Sequence, residues 1–257
     1  MRVLLLGGTT EASLLARRLA GDDRFAATLS LAGRTQRPVA QPLDTRVGGF
    51  GGVQGLAEWL HANGIRAVLD ATHPYAAKIS ANARHACATA GVALASVVRP
   101  PWQRQSADTW IDVGSADEAV QAVGTSPRNV FLALGRLELA AFASAHQHRY
   151  VVRSIDPPKD ISLPPELRLI LARGPFEIEH ERALLAAEKI SVIVCKNSGG
   201  PATYAKISAA REKRIPVVMI RRPEKPTGHP VQTIDQAIDW LDTVRVHDRA
   251  SGSLRGV

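Results

Sequence analysis

Short apolar runs alternate with amphipathic stretches along almost the whole chain, and this alternation restricts the fold more than any other feature. A parallel sheet covered by helices on both faces needs strands that are apolar throughout, separated by segments with one apolar stripe. Runs at 3–6, 27–32, 67–71, 93–98, 130–134, 150–155, 167–172, 191–195 and 217–220 predict such strands, with a shorter one at 45–47. Between them, 11–20, 53–62, 75–90, 137–145, 177–187, 203–212 and 234–244 predict helices. Leu14, Leu15, Arg18 and Leu19 show the helical spacing, as do Leu56, Trp59 and Leu60. The count implies two sheets of about five strands each. The expected fold is α/β: two Rossmann-like lobes with mostly parallel sheets flanked by helices. The lobes are expected at 1–105 and 106–246, followed by a polar, frayed tail at 247–257. The run Trp110-Ile111-Asp112-Val113 fits either lobe.

No apolar run approaches the roughly 20 residues of a membrane span. The opening Val3–Leu6 run ends at Gly7-Gly8, too short for a secretory core. A cytoplasmic enzyme without membrane contact is therefore expected. Cys87 and Cys195 are too few for a thiolate metal site, so no metal is expected and both are read as buried free thiols. The formal net charge of +8 favours an anionic partner. Nucleic acid is not expected: the basic residues are dispersed and aromatic residues make up only 5%. A polyanionic small substrate and a phosphorylated cofactor use the same charge.

Open parallel sheets bind ligands at the carboxyl ends of their strands, so the functional chemistry is expected there. The first strand runs into Gly7-Gly8-Thr9-Thr10-Glu11-Ala12. This is either a tight strand-to-helix turn or a phosphate cradle, and its position opening a helix favours the cradle. The second strand ends at Gly33-Arg34-Thr35, where an NAD-binding sheet carries an acidic residue; Arg34 suits a 2′-phosphate, so NADPH is the expected cofactor. Gly49 lies in the run Gly48-Gly49-Phe50-Gly51-Gly52, which either lets backbone approach the dinucleotide or is a flexible connection. Thr72-His73-Pro74-Tyr75 follows the strand at 67–71. His73 there is a proton donor, a substrate clamp or a helix cap. Tyr75 precedes Lys78 by one residue too few for the Tyr-x-x-x-Lys of short-chain dehydrogenases.

In the second half the most specific run is Lys196-Asn197-Ser198-Gly199-Gly200-Pro201. It offers an ammonium, an amide, a hydroxyl and exposed backbone N–H groups to an anion. Arg136, Arg173 and Arg222 stand at strand ends and Arg153 lies within a strand. An arginine fork matches a carboxylate in two-point contacts, although each arginine alone is as readily a surface ion pair.

Together these segments resemble the precorrin-6A reductase family of cobalamin biosynthesis. The matching stretches are Leu6–Ala12, Ala71–Ala76, Ala172–Phe176, Lys196–Gly200 and Pro216–Pro223, spread from the first strand to the last. The resemblance implies an NADPH-dependent oxidoreductase acting on a CH–CH group. It would deliver a hydride to C19 and a proton to C18 of a polycarboxylate tetrapyrrole, converting precorrin-6A to precorrin-6B. Cobalt-precorrin-6A of the anaerobic pathway is the alternative substrate. The first lobe would hold NADPH through Gly7, Gly8, Thr9, Thr10, Glu11, Gly33, Arg34, Thr35, Gly49 and Thr72. Arg136, Arg153, Arg173, Asn197, Ser198, Gly199 and Arg222 are candidate substrate contacts. His73, Tyr75 and Lys196 are candidate proton donors or orienters. Neighbouring cobalamin-pathway enzymes are candidate partners. Two rival readings remain: a two-lobed nucleotide-sugar transferase and a dinucleotide-sensing regulator.

Overall fold

A computed structural model describes residues 1–33 and 39–253, with side chains to 248. In chain order the elements are β1 (Arg2–Leu6), α1 (Thr10–Ala20), β2 (Ala26–Leu31), β3 (Asp44–Val47), α2 (Gly52–Ala62), β4 (Ala67–Asp70), α3 (Ala77–Ala90) and β5 (Ala93–Val97). There follow β6 (Trp110–Val113), α4 (Ala116–Val123), β7 (Asn129–Ala133), α5 (Arg136–Leu139) with a 3-10 turn at Ala140–Ser144, β8 (Arg149–Ser154), β9 (Leu167–Leu171) and α6 (Ile178–Ala187). The last are β10 (Val192–Lys196), α7 (Ala205–Glu212), β11 (Val217–Ile220), β12 (His229–Val231) and α8 (Ile234–Ser253).

The chain forms two compact units: Met1–Arg99 together with the chain from Pro223 onward, and Pro100–Arg222. In the first, six parallel strands run in the order β12-β5-β4-β1-β2-β3. In the second, six parallel strands run in the order β6-β11-β10-β7-β8-β9. Both are doubly wound α/β sheets, as the alternation predicts, each with one strand more than expected. The extra strand is an edge strand in each case. β6 pairs with β11, which assigns Trp110–Val113 to the second unit.

The unit boundaries differ from the expected 1–105 and 106–246. β12 pairs with β5, His229 opposite Ala95, and Ala237, Ile238 and Leu241 of α8 are buried against α1 in the first core. Trp102 is buried in the second core. The expected tail at 247–257 is helical to Ser253, and 254–257 lie outside the described residues.

The core explains the apolar runs. Val3 and Leu5 of β1 face Leu15, Leu19 and Leu241, while Leu4 and Leu6 face Leu56, Leu60 and Ala83 on the opposite side. Each such buried leucine contributes roughly 1.5–3 kcal/mol. The second unit repeats this with Phe131, Val151, Ile193 and Met219 against Leu185 and Ile207. Cys87 and Cys195 are buried free thiols, and burial pushes the Cys87 thiol up to about 12. Among the described residues no helix is long and apolar enough to cross a membrane.

One buried group makes stability depend on pH. His148 is buried just before β8, with Nε2 on the Gly124 carbonyl at 3.0 Å. Burial lowers its pKa below the ordinary value of 6.5. The unfolded chain then takes up the proton more readily, so stability is full above about pH 6.5 and falls as pH drops toward the folded-state value. Thermal melts at pH 7.5 and 5.5 should show a drop in wild type that His148→Phe diminishes. Identical drops in both proteins would show that His148 does not carry the effect.

Candidate active site

In the first unit the strand order reverses between β1 and β4, where ligands of doubly wound sheets bind. Gly7 leaves β1 close to β2, with its N–H on the Ser30 carbonyl at 2.9 Å. A Cβ there would sit 2.6 Å from Leu29 Cδ1. Gly8 follows with φ +110°, and a Cβ on it would meet nothing within 4 Å, so backbone faces open space beside the start of α1. Thr9 caps α1: its Oγ1 accepts from the Ala12 N–H at 3.2 Å and donates to the Ala71 carbonyl at 2.7 Å. Thr9 thus ties the glycine turn to the end of β4. Thr10 is exposed in the first turn. Glu11 accepts from Arg99 at 3.0 Å, so its charge is compensated by a residue just after β5. Thr9, Glu11, Ala71, Thr72, Pro74 and Arg99 line one small concavity.

Thr72 is held by a buried carboxylate that sequence reasoning missed. Asp70 accepts from the Thr72 N–H at 3.0 Å, the Thr72 hydroxyl at 2.6 Å and the Ser80 hydroxyl at 2.6 Å. An acidic residue closing the apolar run Ala67–Asp70 was its only signal. After Thr72 the chain turns, with the Ala76 N–H on the His73 carbonyl at 2.8 Å. His73 Nδ1 accepts from the Tyr75 N–H at 3.3 Å, and the two rings lie 5.5 Å apart. His73 therefore shapes the turn that leads into α3, which begins at Ala77 rather than at the expected 75.

Gly33 ends the β2 segment with φ +72°. Arg34 and Thr35 lie outside the described residues. Gly49 is exposed, and its carbonyl accepts from Arg46 at 2.9 Å. Arg46 also donates to Ser30 Oγ at 2.8 Å and to the Gly48 carbonyl at 3.1 Å, and stacks 3.7 Å from the Phe50 ring centroid. The glycine run is thus pinned by an arginine rather than loose. Nothing in the sequence around Arg46 marked it apart from its place two residues before the glycines.

The second unit has its own reversal between β7 and β10. Lys196 ends β10 and pairs with Glu138 of α5. Arg136 is exposed beside Gly135. Asn197 is bound to the main chain of Trp102 in both directions, accepting at 2.7 Å and donating at 3.0 Å. Its carbonyl accepts from Arg222 Nε at 2.7 Å. Gly199 has φ +68° and passes so close to Pro100 that a Cβ would lie 2.2 Å from its carbonyl oxygen. Ser198 is half-buried next to it, and Arg173 is exposed just before Gly174. Asn197, Gly199 and Arg222 therefore hold the segment that enters this unit, a packing role that the sequence motif did not reveal.

Arg153, expected as a substrate contact, is packed inward. Its side chain is 8% exposed, paired with the 1%-exposed Glu181 and stacked 3.6 Å from the Phe176 ring centroid. It lies on the core side of β8, as Val151 does two residues earlier.

Both units are doubly wound parallel sheets with polar loops at the carboxyl ends of their strands. The profile of the family described as "Precorrin-6x reductase CbiJ/CobK" matches residues 2–242. A protein of Sinorhizobium sp named precorrin-6A reductase is 51% identical, over 93% of this chain and 94% of its own. One of Rhodobacter capsulatus with the same name is 48% identical, over 93% and 95%. A solved structure of CobK precorrin-6A reductase superposes with a TM-score of 0.89 at 47% identity, covering 95% of this chain and 97% of that one. Matched from the first strand into the last helix, the chain belongs to the precorrin-6x reductase (CbiJ/CobK) family.

Proposed function

We propose that this chain is an NADPH-dependent precorrin-6A reductase. The observation that carries the reading is identity of about half, over more than nine-tenths of both lengths, with proteins bearing that name. The residues at the first switch point fit a dinucleotide. Open backbone at Gly8, with φ +110°, stands at the N-terminus of an 11-residue helix, where N–H groups and the helix dipole favour a pyrophosphate. Gly7, Thr9, Thr10, Glu11, Gly33, Gly49 and Thr72 complete the cofactor side of the proposal, with Arg34 and Thr35 on the 2′-phosphate.

Bound NADPH supplies a hydride, and the acceptor is one double bond of a conjugated macrocycle. The chain's own part is to hold the two at reacting distance, which can account for a large share of the rate. Exposed Arg136 and Arg173 would receive substrate carboxylates, together with Lys196, Ser198 and the backbone of the Asn197–Gly200 loop. His73, Tyr75 and Lys196 are the candidates for orienting the substrate or delivering the proton. We place the reaction in the cytoplasm, beside the other enzymes that make and use such macrocycles.

The test is anaerobic mixing with precorrin-6A and NADPH, with NADH and cobalt-precorrin-6A as separate arms. NADPH consumption with the metal-free substrate is expected. Arg34→Ala should lower the NADPH-to-NADH preference about 10- to 100-fold, as loss of a charge-assisted hydrogen bond requires. An unchanged preference would remove Arg34 from the 2′-phosphate site. Turnover only with the cobalt substrate would reassign the pathway.

A further inference from the structure

The carboxyl end of β4 carries a residue delivered from far along the chain. Lys225 lies in the segment that returns to the first unit after β11, and its ammonium approaches Asp70 Oδ2 at 3.4 Å. It also donates to the Thr72 carbonyl at 3.2 Å and to Thr72 Oγ1 at 3.1 Å. Both charged groups are well covered: the Lys225 side chain is 13% exposed and that of Asp70 is 1% exposed.

A buried carboxylate is tolerated only when its lone pairs are satisfied and its charge is balanced. Here the carboxylate has donors on both oxygens and a cation beside it. The Thr72 hydroxyl and N–H and the Ser80 hydroxyl are given to Asp70. The three ammonium protons of Lys225 go to Asp70, the Thr72 carbonyl and the Thr72 hydroxyl oxygen. Thr72 is thereby fixed at its N–H, hydroxyl and carbonyl, while Thr9 holds the preceding carbonyl of Ala71 at 2.7 Å. Lys225 and the Thr72 hydroxyl are both engaged inside this network. What the network fixes is the position of the backbone at Ala71 and Thr72, which line one wall of the concavity beside the glycine turn.

We propose that Asp70 and Lys225 are positioning residues for the nicotinamide end of the cofactor, acting through Thr72 and the turn at His73. The inference rests on the reading that NADPH binds at the β1–β4 switch point. The pair presets this wall, so that bound NADPH does not have to order it, and the preset wall shows as affinity.

The test is fluorescence titration of NADPH, without substrate, into wild type, Lys225→Met, Lys225→Arg and the double variant Asp70→Asn/Lys225→Met, with a thermal melt of each. Lys225→Met should weaken NADPH binding about tenfold or more, the loss of roughly one charge-assisted contact's worth of preorganisation. Lys225→Arg should recover most of it. The double variant leaves no unpaired buried charge; it should regain thermal stability without regaining affinity, and it carries the comparison if Lys225→Met does not fold. Folded variants that bind NADPH as tightly as wild type would overturn the proposal and leave the pair a purely structural one. Wild type that fails to bind NADPH would refute the underlying cofactor reading instead.

Discussion

Glu181→Ala is expected to destabilise the second unit by about 3–5 kcal/mol, because it strands a buried guanidinium without its partner. Arg153 and Glu181 are 8% and 1% exposed, and the guanidinium is sandwiched near Phe131 and Phe176, at 5.0 and 3.6 Å from their ring centroids. Both side chains are largely withdrawn from water. The double substitution Arg153→Met/Glu181→Leu removes both charges and fills the same space, and should restore most of the loss. Urea unfolding of the three proteins checks both statements. The same proteins separate the packing role of Arg153 from a substrate role. If Arg153 held a substrate carboxylate, the well-folded double variant would show a raised KM for the macrocycle. A core role leaves that KM unchanged.

Gly199→Ala is expected to cost about 3 kcal/mol, combining a left-handed backbone that an L side chain resists with overpacking against a neighbour. The residue stands at φ +68°, and the added methyl would lie 2.2 Å from the Pro100 carbonyl oxygen and 2.4 Å from Arg222 Nη2. The carbonyl is main chain held in place by the Asn197–Trp102 pair, at 2.7 and 3.0 Å, so it cannot swing aside as a side-chain end would. Relief must come from moving the whole Lys196–Pro201 loop. Turnover should therefore fall together with the urea midpoint. An alanine variant as stable and as active as wild type would show that the loop is not held against Pro100.

The strands that are covered on both faces were legible because burial on two sides leaves an unbroken apolar run. Leu4-Leu5-Leu6 and Val192-Ile193-Val194-Cys195 are plain cases. β12 was not legible: His229-Pro230-Val231 has no such run, and its place comes from backbone pairing with β5, more than a hundred residues earlier in the chain. α4 is not among the expected helices although its start carries a capping signature, since Ser115 Oγ accepts from the Glu118 N–H at 3.1 Å. The two-residue periodicity of β8 put Arg153 on the same face as Val151, and that alternation was the overlooked sign that it points into the core.

The candidate site divides in the same way. The turn at Gly7–Glu11 and the loop at Thr72–Tyr75 were visible because ligand-facing chemistry gathers at strand ends. Asp70 and Lys225 were hidden because they are partners 155 positions apart, and no local pattern encodes that contact. Asn197, Gly199 and Arg222 looked like anion ligands for the opposite reason. A loop built to clasp another chain segment uses the same amides, glycines and guanidinium groups as one built to clasp a ligand.

The central claim is that this chain moves a hydride from NADPH to a corrin precursor. The most direct measurement is the mass of the product formed under anaerobic single-turnover conditions from precorrin-6A and NADPH deuterated at the transferring C4 position. The account predicts a reduced macrocycle carrying one deuterium from the cofactor. Product without cofactor-derived deuterium when either C4 face is labelled, or no reduced product from folded protein, would contradict it.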